Sequence, residues 1–248
     1  MKYYITSDLH SFYTPFIEGL RAAGYYEDTE PHKLIILGDL FDRGKEALKM
    51  QEYILQLMER DEVILIRGNH EDSFCDLVTA AQGLPSEYQL KKGVHDTTLQ
   101  LTGFGEDEAL SRNRDFAAAG RETPFFTKII PAMIDYMETE HYVFLHGWIP
   151  CRKTEEGFES IGDWRNALES QWQLARKTNG IDAAQSLIIE KTIVCGHWHT
   201  SYGHWKYEKK GPEYGPGEDF SPYYARGIIA LDARTVYTGK VNVIVLED

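Results

Sequence analysis

Residues 195–205 read CGHWHTSYGHW, which puts three histidines within eleven positions. The same residue types recur far away in the chain, as Asp8-Leu9-His10, Gly38-Asp39, Gly68-Asn69-His70 and His146-Gly147. Carboxylates, imidazoles and one amide oxygen, without a thiolate, make a mixed nitrogen and oxygen donor set. Such a set suits Mn, Fe or Zn in a working site better than a structural zinc knot, which favours cysteine. The candidates are too many for one ion. Two ions sharing one carboxylate would use them all, in the paired geometry of phosphoester hydrolases, with metals roughly 3.5–4 Å apart.

Each candidate follows an apolar run. The runs 2–6 (KYYIT), 33–37 (KLIIL), 62–66 (EVILI), 142–145 (YVFL) and 192–195 (TIVC) are predicted as strands. They deliver, in order, Asp8 and His10, then Asp39, then Asn69, then His146, then His197 and His199. One aspartate or histidine in a loop is ordinary, but five strand ends delivering the same chemistry is not accidental. Lys45–Glu59 carries a helix-period apolar face, so the first third reads as β-α-β. In open α/β sheets ligands bind at the carboxyl ends of strands. Thr127–Thr139, with Pro131, and Asp163–Lys177 are predicted as helices. Residues 84–123 show little pattern, 205–226 read as a surface loop, and Gly227–Asp232 and Val241–Leu246 as closing strands.

Composition narrows the function. With 248 residues, 42% of them hydrophobic, the chain can bury a large core, and a single domain over 1–248 is expected. A net charge of -13 argues against polynucleotides and anionic membranes as partners. It leaves room for a small phosphate ester whose charge is met by bound cations. Cys75, Cys151 and Cys195 are odd in number and lack framework spacing, which points to reduced thiols and a cytoplasmic location. The start MKYYITSDLH lacks an apolar signal region, and no segment approaches membrane-spanning length.

Taken together, Asp8-Leu9-His10, GDLFDRG (38–44), GNHE (68–71), HG (146–147) and GHWH (196–199) resemble the signature of the calcineurin-like metallophosphoesterase superfamily. GDLFDRG followed by GNHE is most similar to serine/threonine protein phosphatases and their bacterial relatives, including symmetrical dinucleoside-tetraphosphate hydrolases. The last 22 residues resemble the terminal hairpin of that bacterial branch, with Ala233-Arg234 where a Thr-Gly pair usually stands. SDLHS departs from the phosphatases' Gly-Asp-x-His-Gly but keeps both ligand positions. The resemblance implies an α/β (α+β) fold, a four-layer αββα sandwich of two mixed sheets flanked by helices, with the metal site at strand carboxyl ends. Substrate-specific insertions are then expected at about 84–140, 150–190 and 205–226.

The resemblance also implies two divalent ions, Mn ahead of Fe, Zn, Ni or Co. Asp8, His10 and Asp39 would hold the first, and Asp39 would bridge to a second held by Asn69, His146 and His197. His199 would return to the first, as in branches with Gly-His-x-His; the protein phosphatases usually lack that histidine, and the alternative is a hydrogen bond outside the ligand set. A water between two such ions loses its proton near neutral pH and becomes a nucleophile. Arg43 would meet the phosphoryl oxygens as a planar fork; the alternative is an ion pair with Asp42 or Asp39. His70 would protonate the leaving group, with Asp42 orienting it. Arg165, in GDWRNA, is the candidate second phosphate-binding arginine or else a helix-surface residue.

The remaining residues have plainer expectations. His32, His95, His141 and His204 are expected at the surface. Trp148, Trp164, Trp198 and Trp205 either wall the cleft or pack in the core, and Glu71 caps a helix. The leading function is a phosphomonoesterase acting on phosphoserine, phosphothreonine or phosphotyrosine in protein. The alternatives are hydrolysis of dinucleoside polyphosphates or other nucleotides and, in a different class, a non-catalytic metal-bound scaffold. A scaffold would be expected to lose its acid or a ligand, whereas His70, Asp42 and Arg43 are all present. Partners would therefore be a phosphorylated small molecule, a nucleotide or a phosphoprotein.

Overall fold

A computed structural model describes all of residues 1–248. Its strands are β1 (Lys2–Thr6), β2 (His32–Ile36), β3 (Val63–Leu65), β4 (Tyr136–Glu138), β5 (Tyr142–Leu145), β6 (Cys151–Lys153), β7 (Phe158–Ser160), β8 (Thr192–Cys195), β9 (Tyr223–Ala225), β10 (Ile228–Ala230) and β11 (Val243–Glu247). One sheet runs β11-β1-β2-β3, parallel except for the edge strand β11. The other runs β4-β5-β8-β10-β9, with parallel strands at its centre and antiparallel edges. β6 and β7 form a separate hairpin.

Side-chain alternation decides the layers, because successive residues of a strand face opposite sides. In the first sheet Tyr3, Ile5 and Ile35 face the second sheet, where Phe144, Val194 and Ile229 meet them. The opposite face of that sheet, with Tyr4, Leu34 and Ile36, packs on Phe16, Ile54 and Leu57 of flanking helices. The opposite face of the second sheet, with Val143, Leu145 and Ile193, packs on Trp148, Trp172 and Ile181. Both faces of the central strands are apolar, so these strands read as continuous hydrophobic runs rather than as alternating ones. The result is the four-layer αββα sandwich of two mixed sheets.

Four predictions of local structure are corrected. The stretch 84–123 is helical, with Glu87–Lys92, Val94–Thr102, Glu106–Ser111 and Asn113–Glu122. Thr127–Thr139 splits: a wide turn (Phe125–Ile129) and a short helix (Ile130–Ala132) precede β4, which pairs with β5. Asp163–Lys177 is a 3₁₀ turn (Trp164–Asn166) followed by a helix (Glu169–Ala175), separated at Ala167-Leu168. The closing strands β10 and β11 form no hairpin; they lie in different sheets with the helix Thr235–Thr238 between them. No helix is long and apolar enough to cross a membrane.

Candidate metal centre

The parallel strands β1, β2 and β3 of one sheet and β5, β8 and β10 of the other release the chain toward the same end. The loops that follow turn sharply. Asp8, His10, Ser11, Asp39, Asp42, Arg43, His197 and Arg234 all take positive φ, between 48° and 78°. That left-handed backbone costs an L-residue roughly 1–2 kcal/mol each. It turns successive side chains inward instead of alternating them across a sheet. A cavity of about 240 Å³ collects Asp8, His10, Asp39, Arg43, Asn69, His70, His197 and Asp232, among others.

Asp39 stands at the centre. Its Oδ2 lies 3.8 Å from Nε2 of both His10 and His70, while its Oδ1 lies 3.3 Å from Nε2 of His146. Two groups of potential donors thus share this carboxylate: His10, Asp39 and His70, and Asp39, His146 and His197. The imidazoles are held by their far nitrogens. His10 Nδ1 donates to the Phe41 carbonyl at 2.9 Å and His146 Nδ1 to the Leu37 carbonyl at 2.6 Å. Both rings therefore present bare Nε2 lone pairs to the cavity. His146 Nε2 faces Asn69 Oδ1 at 3.1 Å as well as Asp39 Oδ1, so an imidazole nitrogen, an amide oxygen and a carboxylate oxygen converge. A divalent cation resolves such a convergence, and the mixed donor set fits one.

Glu71 locks two of these loops together. Its Oε2 accepts from Asp39 N at 3.0 Å and Gly68 N at 2.7 Å, and its Oε1 accepts from Leu40 N at 2.9 Å. It is fully buried. The helix-capping role expected from sequence is one of three bonds; the other two reach back across more than thirty residues. Gly68 is required at the same junction, since a Cβ there would overlap the Asp39 carboxylate and sit 2.6 Å from Asp39 N.

Burial raises the Asp8 carboxyl well above its ordinary value, with the neighbouring Asp232 adding to the effect. Burial likewise pushes His10, His70 and His197 well below theirs, so these rings are neutral. Asp8 Oδ2 accepts from His197 N at 2.9 Å, which ties the first strand end to the GHWH loop.

The three residues expected to act on substrate adjoin this cluster. His70 Nδ1 lies 2.5 Å from Asp42 Oδ2, and burial pushes the Asp42 carboxyl up to about 7. Arg43 makes no ion pair with Asp42 or Asp39; its guanidinium reaches Nε2 of His10 at 2.8 Å and of His70 at 3.3 Å. The turn that carries Arg43 is braced by the unforeseen helix Val94–Thr102. Thr97 Oγ1 accepts from Asp42 N at 2.9 Å, and Gln100 Nε2 donates to the Gly44 carbonyl at 3.0 Å.

The remaining candidates lie as follows. His199 lies outside both donor groups: its Nε2 accepts from the Tyr214 hydroxyl and sits 3.2 Å from Glu213. Burial, helped by the Arg234 guanidinium, lowers it to about 4. Arg165 is engaged elsewhere, donating to both oxygens of Glu138 at 2.8 and 2.7 Å and stacking on Trp164. His204 is buried, held by Glu208 at 2.9 Å and the Ser221 carbonyl at 3.1 Å, and His95 is buried against Phe116. Trp148 and Trp164 are core residues, whereas Trp198 and Trp205 are exposed.

Asp232 is the site residue that sequence reasoning missed. It follows β10 as Asp8 follows β1, so a sixth apolar run ending in an acid was there to be read. Its loop is tied to the first one by Thr235 Oγ1, which donates to the Asp8 carbonyl at 3.0 Å.

Comparison with known proteins gives the family. The model described as calcineurin-like phosphoesterase matches residues 1–225. Among curated proteins, the asymmetrical bis(5'-nucleosyl)-tetraphosphatase PrpE of Geobacillus sp. (strain WCH70) is 34% identical over 76 residues, 28% of this chain and 31% of that one. The protein of the same name from Oceanobacillus iheyensis is 22% identical over 209 residues, 79% of this chain and 77% of that one. The chain thus spans about a third of the first relative's length. Among solved structures, a cold-active protein-tyrosine phosphatase of a psychrophilic Shewanella aligns with TM-score 0.56 at 13% identity, covering 100% of this chain and 75% of that one. A structure described as a putative diadenosine tetraphosphatase aligns with TM-score 0.50 at 16% identity, covering 99% and 89%. These two likenesses speak to the fold. The family match spans most of the chain and the converging His/Asp donors fit it: this chain belongs to the calcineurin-like phosphoesterases.

Proposed function

We propose that the chain is a two-metal hydrolase whose substrate is a dinucleoside polyphosphate. The observation that carries the two-metal reading is Asp39, whose two oxygens face different sets of imidazoles. Asp8, His10 and Asp39 would hold one ion, with Asp232 beside Asp8, and Asp39, Asn69, His146 and His197 would hold the other. Divalent ions bound there supply Lewis-acid charge to the phosphoryl oxygens and to the attacking water, with Mn first among the candidates.

The chain's own residues do the rest. His70, oriented through Nδ1 by Asp42, presents Nε2 to the cavity and delivers a proton to the departing oxygen. Once Arg43 has turned from His70 to the substrate, Asp42 would hold the imidazolium form of His70 through Nδ1, so that the proton given up leaves from Nε2. Arg43 Nη1 now occupies the same His10 lone pair that a metal would take. A metal there would release the guanidinium, leaving Arg43 to meet phosphoryl oxygens as a fork. His199, held by Tyr214 and Glu213, takes no part as a ligand in this reading.

Substrate choice rests on what adjoins the metal cavity. A groove of about 810 Å³ opens from it and shares Arg43, Lys92, His197, Trp198 and Asp232 with it. An extended anion fills such a groove, and the names of the curated relatives agree with a tetraphosphate. A phosphorylated protein side chain, the leading expectation from sequence, needs only the small cavity and leaves the groove without a role. The intact His70–Asp42 pair weighs against a non-catalytic scaffold. We further read the chain as one domain whose segments near 84–140, 150–190 and 205–226 tune the substrate, and as a cytoplasmic protein, in keeping with three free thiols.

Purified protein should bind close to two Mn²⁺ per chain and cleave diadenosine tetraphosphate in preference to phosphopeptides. Asp39→Asn should lower both the bound-metal count and turnover. A variant that still binds two ions would remove the bridging role, and phosphopeptides outperforming the tetraphosphate would overturn the substrate.

A further inference from the structure

Arg234 stands where the backbone discourages a side chain. Its φ of 49° and ψ of 58° are left-handed, a conformation that glycine adopts freely and arginine does not. An arginine kept at such a position is an outlier that calls for a functional reason. Its main chain serves the site, since Arg234 N donates to Asp232 Oδ1 at 2.6 Å. A glycine would make that bond equally well, so the backbone does not explain the side chain.

The side chain is held without an acid. Its guanidinium lies 4.5 Å from the ring centre of Tyr214 and 5.7 Å from that of Tyr237, and no carboxylate stands within ion-pair distance. Two aromatic faces hold an arginine in place without neutralising it, unlike a salt bridge. Arg43 and Lys92, on other segments, also lack a carboxylate partner and line the same groove. Lys91, next in sequence, is paired with Glu87. Arg43, Lys92 and Arg234 face one groove without an ion pair of their own, beside the carboxylates of Asp96 and Asp232, and in a chain of net charge -13 they mark a track for a chain of negative charges. Arg43 and Lys92 also line the metal cavity, whereas Arg234 lines the groove alone. Arg234 thus stands where a phosphate beyond the metal cavity would lie. Trp198, at the junction of the two spaces and partly exposed, offers a flat apolar face alongside.

We infer that Arg234, resting against the rings of Tyr214 and Tyr237, is the specificity-determining residue of this enzyme, gripping a distal phosphate of a polyphosphate-linked substrate and so selecting it over monophosphates. This rests on the two-metal phosphohydrolase reading and adds to it the residue that sets substrate length.

The test is competition during turnover of p-nitrophenyl phosphate by the Mn²⁺-loaded protein, with Mn²⁺ in excess. Inhibition constants are measured for diadenosine tetraphosphate and for AMP, in wild type, Arg234→Gly and Arg234→Lys. Wild type should bind the tetraphosphate at least about tenfold more tightly than AMP, the scale of one charge-assisted contact. Arg234→Gly should bring that ratio close to one, and Arg234→Lys, which keeps the charge but loses the planar stack, should fall between. The ratio cancels any general damage to the site, and Arg234→Gly, freed of backbone strain, should melt no lower than wild type. A ratio unchanged in Arg234→Gly, or absent from wild type, overturns the inference. Failure to turn over p-nitrophenyl phosphate with Mn²⁺ would instead overturn the underlying reading. Competition does not require that the tetraphosphate itself be cleaved.

Discussion

Replacing Glu71 by glutamine separates geometry from charge at the junction of the two metal loops. The side chains are the same size, yet glutamine has one acceptor oxygen where glutamate has two. Placed to keep the bonds from Asp39 N and Gly68 N, its carbonyl leaves the amide nitrogen facing Leu40 N, donor against donor. An orphaned buried donor costs about 1–3 kcal/mol. The two surviving bonds also change from charge-assisted to neutral, which weakens each by roughly half. Against this, removing the Glu71 charge relieves its repulsion of Asp39, which burial and Glu71 together hold well above its usual range. The net loss should be about 2–4 kcal/mol in metal-free protein. For a chain of this size that is a fall in Tm of roughly 5–15 °C. With saturating Mn²⁺ the Asp39 charge is compensated, the relief disappears, and the deficit should widen. Thermal unfolding followed by circular dichroism, with and without Mn²⁺, reads both quantities. A fall below about 2 °C in both conditions would refute the clamp, and a deficit that shrank on metal loading would refute the repulsion argument.

His70→Asn should slow cleavage of alkyl phosphates by roughly 10²–10⁴-fold, the worth of a placed general acid, and nitrophenyl phosphate much less because nitrophenolate leaves unprotonated. Equal losses on both would assign His70 a different role. Glu138→Gln should flatten the acid limb of stability. Hydrogen bonds from Arg165 and then Lys191 depress the Glu138 carboxyl to about 2 from an ordinary 4.5. A group depressed in the folded state stabilises above its unfolded pKa and loses that contribution as pH falls through the folded one. Urea midpoints of the two proteins should therefore converge between about pH 5 and 2. The difference at pH 7 should stay under about 1 kcal/mol, since the pair is solvent-exposed. Parallel curves across that range would count against the pair.

Much of the donor set was legible because its signal is local. β1, β2, β3, β5 and β8 are apolar runs followed by polar residues, and burial on both faces accounts for the runs. What escaped the sequence depends on long-range partners. The helix Val94–Thr102 buries Val94, His95, Thr97 and Thr98, three polar residues among four, so it carries no apolar stripe. Thr97 is buried because it accepts from Asp42, 55 residues earlier. His204 is buried by a carbonyl 17 residues later, and Glu71 clamps a loop 32 residues before it. β4 became a strand through its pairing with β5, overriding the helical reading of 127–139. Asp232 was readable by the rule applied to the other strand ends, but it lacks a histidine neighbour and was noticed only as a landmark.

Eight of the ten non-glycine residues with positive φ belong to the loops that meet at the metal centre or its groove. The fold therefore holds its least comfortable backbone where its chemistry is done, and the sandwich beneath must outweigh that discomfort. Heat resistance and turnover are set against each other in this chain. A library selected only for survival at high temperature would drift toward glycine and asparagine at these turns. It would gain melting temperature step by step while giving up, one residue at a time, the side chains that make it an enzyme.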